Sequence, residues 1–188
     1  MQQDALITLD AQDCWHIADV AVAVADQPAW QHHRIGGNPK GLRLGIAGEY
    51  AFCRLVGMSD PAYIITPERY GDADKGIDFV AYGASVQVKA RASRTGDLIL
   101  PGNDYPPVAE VLTLCVAHRA GMLFKGWVDR QRFMGRAEQY SARKGRADWL
   151  YAAKDLLPMG TFIDACKWYG QENENPQIDN VAAMQGAG

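Results

Sequence analysis

Gly76-Ile77-Asp78-Phe79-Val80-Ala81-Tyr82-Gly83-Ala84-Ser85-Val86-Gln87-Val88-Lys89-Ala90-Arg91 alternates apolar and polar side chains about a glycine, the pattern of a β-hairpin with one buried face. With Gly83-Ala84 as a two-residue turn, glycine takes the first central position, as a type II′ turn requires. Tyr82 then stands opposite Ser85, Val80 opposite Gln87, and Asp78 opposite Lys89. Ile77, Phe79, Ala81, Val86, Val88 and Ala90 share one face, and all are apolar. Asp78, Val80, Tyr82, Ser85, Gln87 and Lys89 share the other. The apolar face belongs to the core, so Asp78, Gln87 and Lys89 are expected side by side on the opposite face, within reach of one small ion. A one-residue slip would bury the charges and expose Phe79 and Val88, which pins the register. Taken alone, Asp78 and Lys89 make an ordinary surface ion pair worth about 0–1 kcal/mol.

Upstream, a helix is expected from Leu42 to Val56, stopping at Gly57. It carries Glu49, with Gly45 and Gly48 at one-turn spacing. Each glycine costs about 1 kcal/mol in a helix relative to alanine, so both are expected to admit something close, such as the sheet itself. An earlier helix spans residues 10–26, with Asp10 as N-cap and Ala11, Cys14, Trp15, Ala18, Val22 and Ala25 at helical spacing. Residues 27–40 read as a connector, Pro61–Thr66 as a short strand and Arg69–Gly76 as a polar loop. Downstream, Val111–Ala117 and Met122–Val128 read as strands around an Arg119–Gly121 turn. Helix is expected at Asp129–Gly135 and around Ala147–Leu157. The prolines and glycines of Ala92–Glu110 disfavour a long helix there and leave a loop or a short strand at Asp97–Leu100. Helix, strands, then helix indicate an α/β or α+β domain over residues 1–170, with a loose polar tail over 171–188.

The chain has 188 residues, 48% apolar and 22% charged, which suits one globular domain and argues against wholesale disorder. No apolar run approaches the ~18 residues of a membrane span, and the acidic N-terminus does not resemble a secretory signal, so a cytoplasmic location away from membranes is expected. Cys14, Cys53, Cys115 and Cys166 form no CxxC pair and read as reduced thiols rather than zinc ligands. Gly36–Gly41 lacks the GxxxxGK[ST] spacing and no GxSxG is present, so neither a nucleotide cofactor nor the common hydrolase elbow is expected. His32, His33 and His16 read as loop or satisfied histidines, and His118 lies at a strand end beside Arg119. The net charge of −3 is uneven: −5 over residues 1–33, zero over 34–118, +6 over 119–154 and −4 over 155–188. A basic segment between acidic ends fits either a solvated face or a nucleic-acid contact.

A helical Glu, then Gly-Ile-Asp at a strand start, then Gln-Val-Lys on the next strand, resembles the PD-(D/E)XK nuclease superfamily over about residues 40–130. The closest flavour is the Holliday-junction resolvases and Mrr-like restriction nucleases. The resemblance implies a restriction-endonuclease-like fold: a central mixed sheet of about five strands flanked by helices. It implies a metal-dependent deoxyribonuclease whose catalytic set is Asp78, Gln87, Lys89 and Glu49. Mg²⁺ or Mn²⁺ would sit on Asp78, Gln87, Glu49 and the Val88 carbonyl. Lys89 would orient or deprotonate water, or stabilise charge on the phosphate. DNA would be gripped by Arg91, Arg94, Lys40, Arg43, Arg132 and Arg136, and a homodimer would let two sites cut two strands. Gln87 departs from the usual Glu, which throws weight onto Glu49 and keeps a rival reading open, an inactive nuclease-fold module that binds DNA or assembles. Asp72 and Asp74 read as solvated loop acids with an auxiliary metal contact as the lesser alternative.

Overall fold

In the computed structural model, which describes residues 4–27, 39–58, 60–70, 76–93, 96–143 and 146–174, the hairpin forms from β2 (Phe79–Ala81) and β3 (Ala84–Arg91). Its turn is Tyr82-Gly83 rather than Gly83-Ala84. Both residues have positive φ, 53° and 88°, the mark of a type I′ turn, whose twist matches that of the strands. Phe79 pairs with Val86, Val80 with Ser85 and Ala81 with Ala84. Each β2 residue therefore meets a β3 partner two positions earlier than expected. Two is even, so Phe79, Val80 and Ala81 keep their expected faces, whereas Tyr82, now in the turn, leaves its own and donates to the Val56 carbonyl at 3.2 Å on the helical side. Phe79, Ala81, Val86 and Val88 are buried as the alternation requires, whereas Ile77 is 39% exposed.

Around the hairpin lie β1 (Ala5–Thr8), α1 (Ala11–Ala25), α2 (Pro39–Leu55), α3 (Pro61–Ile64), β4 (Leu98–Leu100), β5 (Val111–His118), β6 (Gly121–Asp129), α4 (Arg130–Arg136), β7 (Glu138–Arg143), β8 (Arg146–Tyr151) and α5 (Phe162–Glu174). Strands β1-β6-β5-β3-β2 form a five-stranded sheet in which β3 and β5 are parallel and the other neighbours antiparallel. A smaller antiparallel sheet has the order β4-β8-β7. The fold is thus mixed α/β with a five-stranded mixed sheet flanked by helices. No helix among the described residues is long and apolar enough to cross a membrane.

Two cores follow from the alternation along β3 and β5. On one face Val86, Val88, Val111 and Cys115 pack with Ile17, Val20 and Val24 of α1, Ile46, Ala51 and Phe52 of α2, and Phe162 and Cys166 of α5. On the other, Leu112, Leu114 and Val128 pack with Leu98 and Leu100 of β4, Phe133 of α4 and Tyr151 of β8. The small sheet therefore covers much of the face that bears Gln87 and Lys89.

Several expectations change for local reasons. Pro61–Ile64 is a helical turn, because Asp60 caps it through the Ala62 N–H at 3.1 Å and Pro61 pre-sets its first residue. Helix around Ala147–Leu157 is replaced by β8 and a 3₁₀ turn over Ala153–Asp155, since β8 is recruited between β4 and β7. The segment before residue 10 supplies β1, which pairs with β6. Helix α5 runs past residue 170 into the segment expected to be tail. Other expectations hold: Asp10 caps α1, and the helix expected at Asp129–Gly135 forms as α4. The structure adds a reciprocal box between Asp10 and Asp13, and an Asp129 cap on α4 through the Arg132 N–H at 2.7 Å.

Candidate active site

Asp78 lies just before β2, at the point where that strand leaves β3. Its N–H donates to the Val86 carbonyl at 2.9 Å, and its carboxylate accepts from the Val88 N–H at 2.6 Å. Val86 and Val88 thus turn their peptide groups toward β2. Within a strand the N–H and C=O of one residue point to the same side, so the Val88 carbonyl also faces that side, next to the Asp78 carboxylate. Since β2 begins only at Phe79, among the described residues this stretch of β3 has an acid beside it in place of a paired strand.

Glu49 approaches from the helical face. Gly48 carries α2 so close to the sheet that a Cβ there would lie 2.9 Å from Cys115 Sγ, 3.0 Å from Ala90 Cβ and 3.6 Å from Val88 Cγ1. Gly45, expected to share that role, has open space instead. The Glu49 carboxylate accepts from Tyr70 Oη at 2.9 Å and pairs with Arg69 Nε at 3.5 Å. Arg69 also donates to the Asp78 carbonyl and lies 4.4 Å over the Phe79 ring. One guanidinium thus ties the Glu49 side chain to the Asp78 backbone. Burial, and after it the Glu49 charge, push the Tyr70 hydroxyl far above its ordinary range, and Asp78 adds to the effect. Burial likewise raises the Cys115 thiol, with Glu49 and Asp78 contributing in that order. Both carboxylates therefore bear on the same small region around β3.

Gln87 is only 2% exposed, and its Oε1 has no hydrogen-bond partner. Gly76 packs over it at φ 79°, where a Cβ would stand 3.6 Å from Gln87 Nε2. Lys89, two residues along on the same face, does not pair with Asp78 as expected. The register shift moves it away, and its Nζ lies 3.4 Å from Asp104 Oδ2 instead. The structure thus gathers Asp78, the Val88 carbonyl and Gln87 along one stretch of β3. Lys89 stands on the Gln87 face and Glu49 on the helical face.

The six expected DNA contacts do not share one side. Lys40 and Arg43 are exposed on α2, on the helical face, while Arg132 and Arg136 lie on α4, whose Phe133 packs under the opposite face. Arg132 is 3.9 Å from Asp129. Arg91 is half-buried on β3, and Arg94 lies outside the described residues, as do Asp72, Asp74, His32 and His33. His16 is satisfied by the Ile65 carbonyl at 2.8 Å, and His118 accepts from the Ala120 N–H in its own turn at 3.2 Å.

Comparison with protein-family models, curated proteins and solved structures finds no match. Among the described residues no three His, Cys, Asp or Glu side chains group as a metal site. What lies along β3 is oxygen of mixed kind: a carboxylate, a backbone carbonyl and an orphaned amide oxygen, with a second carboxylate from α2. Such donors suit a hard cation that keeps several waters, not zinc. Arg69, Tyr70 and Asp104 escaped the sequence reading because they sit in segments read as loops. No short-range pattern in those loops marks them.

Proposed function

We propose that this chain is a divalent-metal-dependent deoxyribonuclease built on a restriction-endonuclease-like arrangement. The observation that carries the reading is the Asp78 carboxylate on the Val88 N–H at 2.6 Å, beside the outward Val88 carbonyl and the unpartnered Gln87 amide oxygen. Burying an amide oxygen without a partner costs about 1–3 kcal/mol, an expense that a bound cation would remove. Asp78, Gln87, the Val88 carbonyl and Glu49 are the residues that would hold Mg²⁺ or Mn²⁺. Bound there, such an ion supplies Lewis-acid polarisation of a phosphate and acidifies its water. Lys89 places a cation beside the same stretch of β3, where it holds a phosphate oxygen or stabilises charge as it develops. Arg69 keeps Glu49 and the Asp78 loop in register.

Supercoiled plasmid and labelled branched or flapped DNA, incubated with Mg²⁺ or Mn²⁺, test the reading. Cleavage is expected, with a loss of ~100-fold or more in Asp78→Ala and Lys89→Ala while circular dichroism stays unchanged. Absence of cleavage with either ion overturns it. The second reading, a nuclease-fold module that binds DNA without cutting it, is favoured by one arrangement. Glu49 is already engaged by Arg69 and Tyr70, and Gln87 brings no charge. Salt-sensitive binding without cleavage under any metal selects that reading.

A further inference from the structure

We propose that the cleft between the β3–β5 crossover and α4 receives an unpaired nucleotide next to the scissile phosphate, so that the preferred DNA carries a flap or a branch. The proposal rests on the nuclease reading above and names the substrate class of that same site.

Pro106 and Pro107 of the crossover, with Arg130, Gln131 and Met134 of α4, line a cleft of about 500 Å³. That volume falls within the ~300–1,000 Å³ of ordinary ligand sites. The cleft adjoins the candidate metal donors. Arg130 Nη1 donates to the Val108 carbonyl at 3.4 Å. A Cβ at Gly76 would stand 3.9 Å from Val108 Cβ and 3.6 Å from Gln87 Nε2, so Val108 and Gln87 meet at the same glycine. Helix α4 packs through Phe133 on the face of the sheet that bears Gln87 and Lys89, which puts the cleft on that side. Both walls are braced. Tyr105 stacks on Trp149 with ring centroids 4.0 Å apart and planes 15° from parallel, and the Arg130 N–H donates to the Glu110 carbonyl at 2.8 Å.

The lining selects the occupant. Met134 is 45% exposed and Pro106 is exposed, so apolar surface lies open beside the exposed side chain of Arg130. The acids on either side of this stretch are engaged: Asp129 caps α4 and faces Arg132, and Glu110 Oε2 accepts from the Ser85 N–H and hydroxyl. A guanidinium offers a phosphate two parallel donors. A paired base keeps both faces against its neighbours in the stack and has none to give Met134 or the prolines. An unstacked base presents a bare face to any such platform, whatever its sequence. Gln131 adds an amide of the kind that bonds a base edge. Contiguity with Gln87 favours a piece of the DNA being cut over a separate ligand.

Fluorescence anisotropy tests this with a labelled blunt duplex and the same duplex carrying a thymidine flap, in EDTA so that nothing is cut. The wild-type chain is expected to prefer the flapped DNA by about tenfold, the worth of one stacked base. Met134→Ala should cut that preference about threefold and Met134→Trp raise it by about as much, with blunt-duplex affinity unchanged. Arg130→Gln should weaken binding of the flapped DNA and lower its salt slope by about one. Urea midpoints confirm that each variant folds. Equal affinity for the two DNAs, or a preference that neither Met134 variant moves, overturns the proposal; a cleft built for a protein partner gives that result. The nuclease reading survives it where the wild-type chain still cuts DNA with Mg²⁺ or Mn²⁺. A chain that neither binds these DNAs nor cuts them overturns both.

Discussion

Along β3, Val86 and Val88 face the helices while Ser85, Gln87 and Lys89 face the small sheet, and the two sides are packed by different rules. On the helical side the side chains are apolar, and at Gly48 the helix touches the strands with no room for a Cβ. On the other side the apolar contacts concentrate under β5 and β6. The β3 row at their margin is polar: Ser85 is bonded to Glu110, Lys89 is paired with Asp104, and Gln87 is left with an unpaired oxygen. One side of a single strand supplies close packing and the other supplies functional groups.

The widest contrast is expected at the helical contact. Gly48→Val must push α2 away from Cys115 and Ala90, and overpacking of this kind costs about 3 kcal/mol, read as a fall in the urea midpoint. One turn earlier, Gly45→Ala meets nothing within 4 Å and should gain up to ~1 kcal/mol from helix propensity. Equal effects at the two glycines would break the claim that only Gly48 marks the contact.

The polar side should respond in the opposite sense. Gln87→Met removes an unsatisfied buried oxygen at nearly constant volume and is expected to raise stability by about 1 kcal/mol while lowering cleavage. A destabilised Gln87→Met protein would show that the amide is satisfied in solution and has no need of an ion.

The helical side also responds to alkaline titration. Burial pushes the Cys53 and Cys166 thiols from an ordinary 9.0 up to about 12, with the nearby Glu110 adding to the rise at Cys166. A raised folded pKa means that the native state holds its protons longer than the unfolded chain does. Stability from these thiols is complete below pH 9 and declines as pH climbs toward about 12. Urea midpoints measured from pH 8 to 11 should fall, and Cys53→Ala should flatten the slope.

How much of this was readable beforehand depends on which physics set each feature. The faces of β2 and β3 were readable because a period of two survives a two-residue change of register. The turn was not, because Gly83 suits either the first or the second central position. Helices α1 and α2 carry their own caps or apolar stripe, so their existence was local information. β7, β8 and β1 were missed because each is a strand only by virtue of a distant partner. At the site, Asp78, Gln87 and Lys89 followed from alternation and Glu49 from its glycine neighbour. Asp104 and Arg69 depend on how loops fold back, which no short-range pattern encodes.

The parallel pairing of β3 with β5 forces the chain to leave the large sheet and return, and on the way it deposits β4 in the small one. β4 then waits for β8, some fifty residues later, before it has a neighbour. Neither layer can be completed while the other is missing, so the two should melt in one cooperative step. The long separation between partners predicts slow folding for a chain of this length.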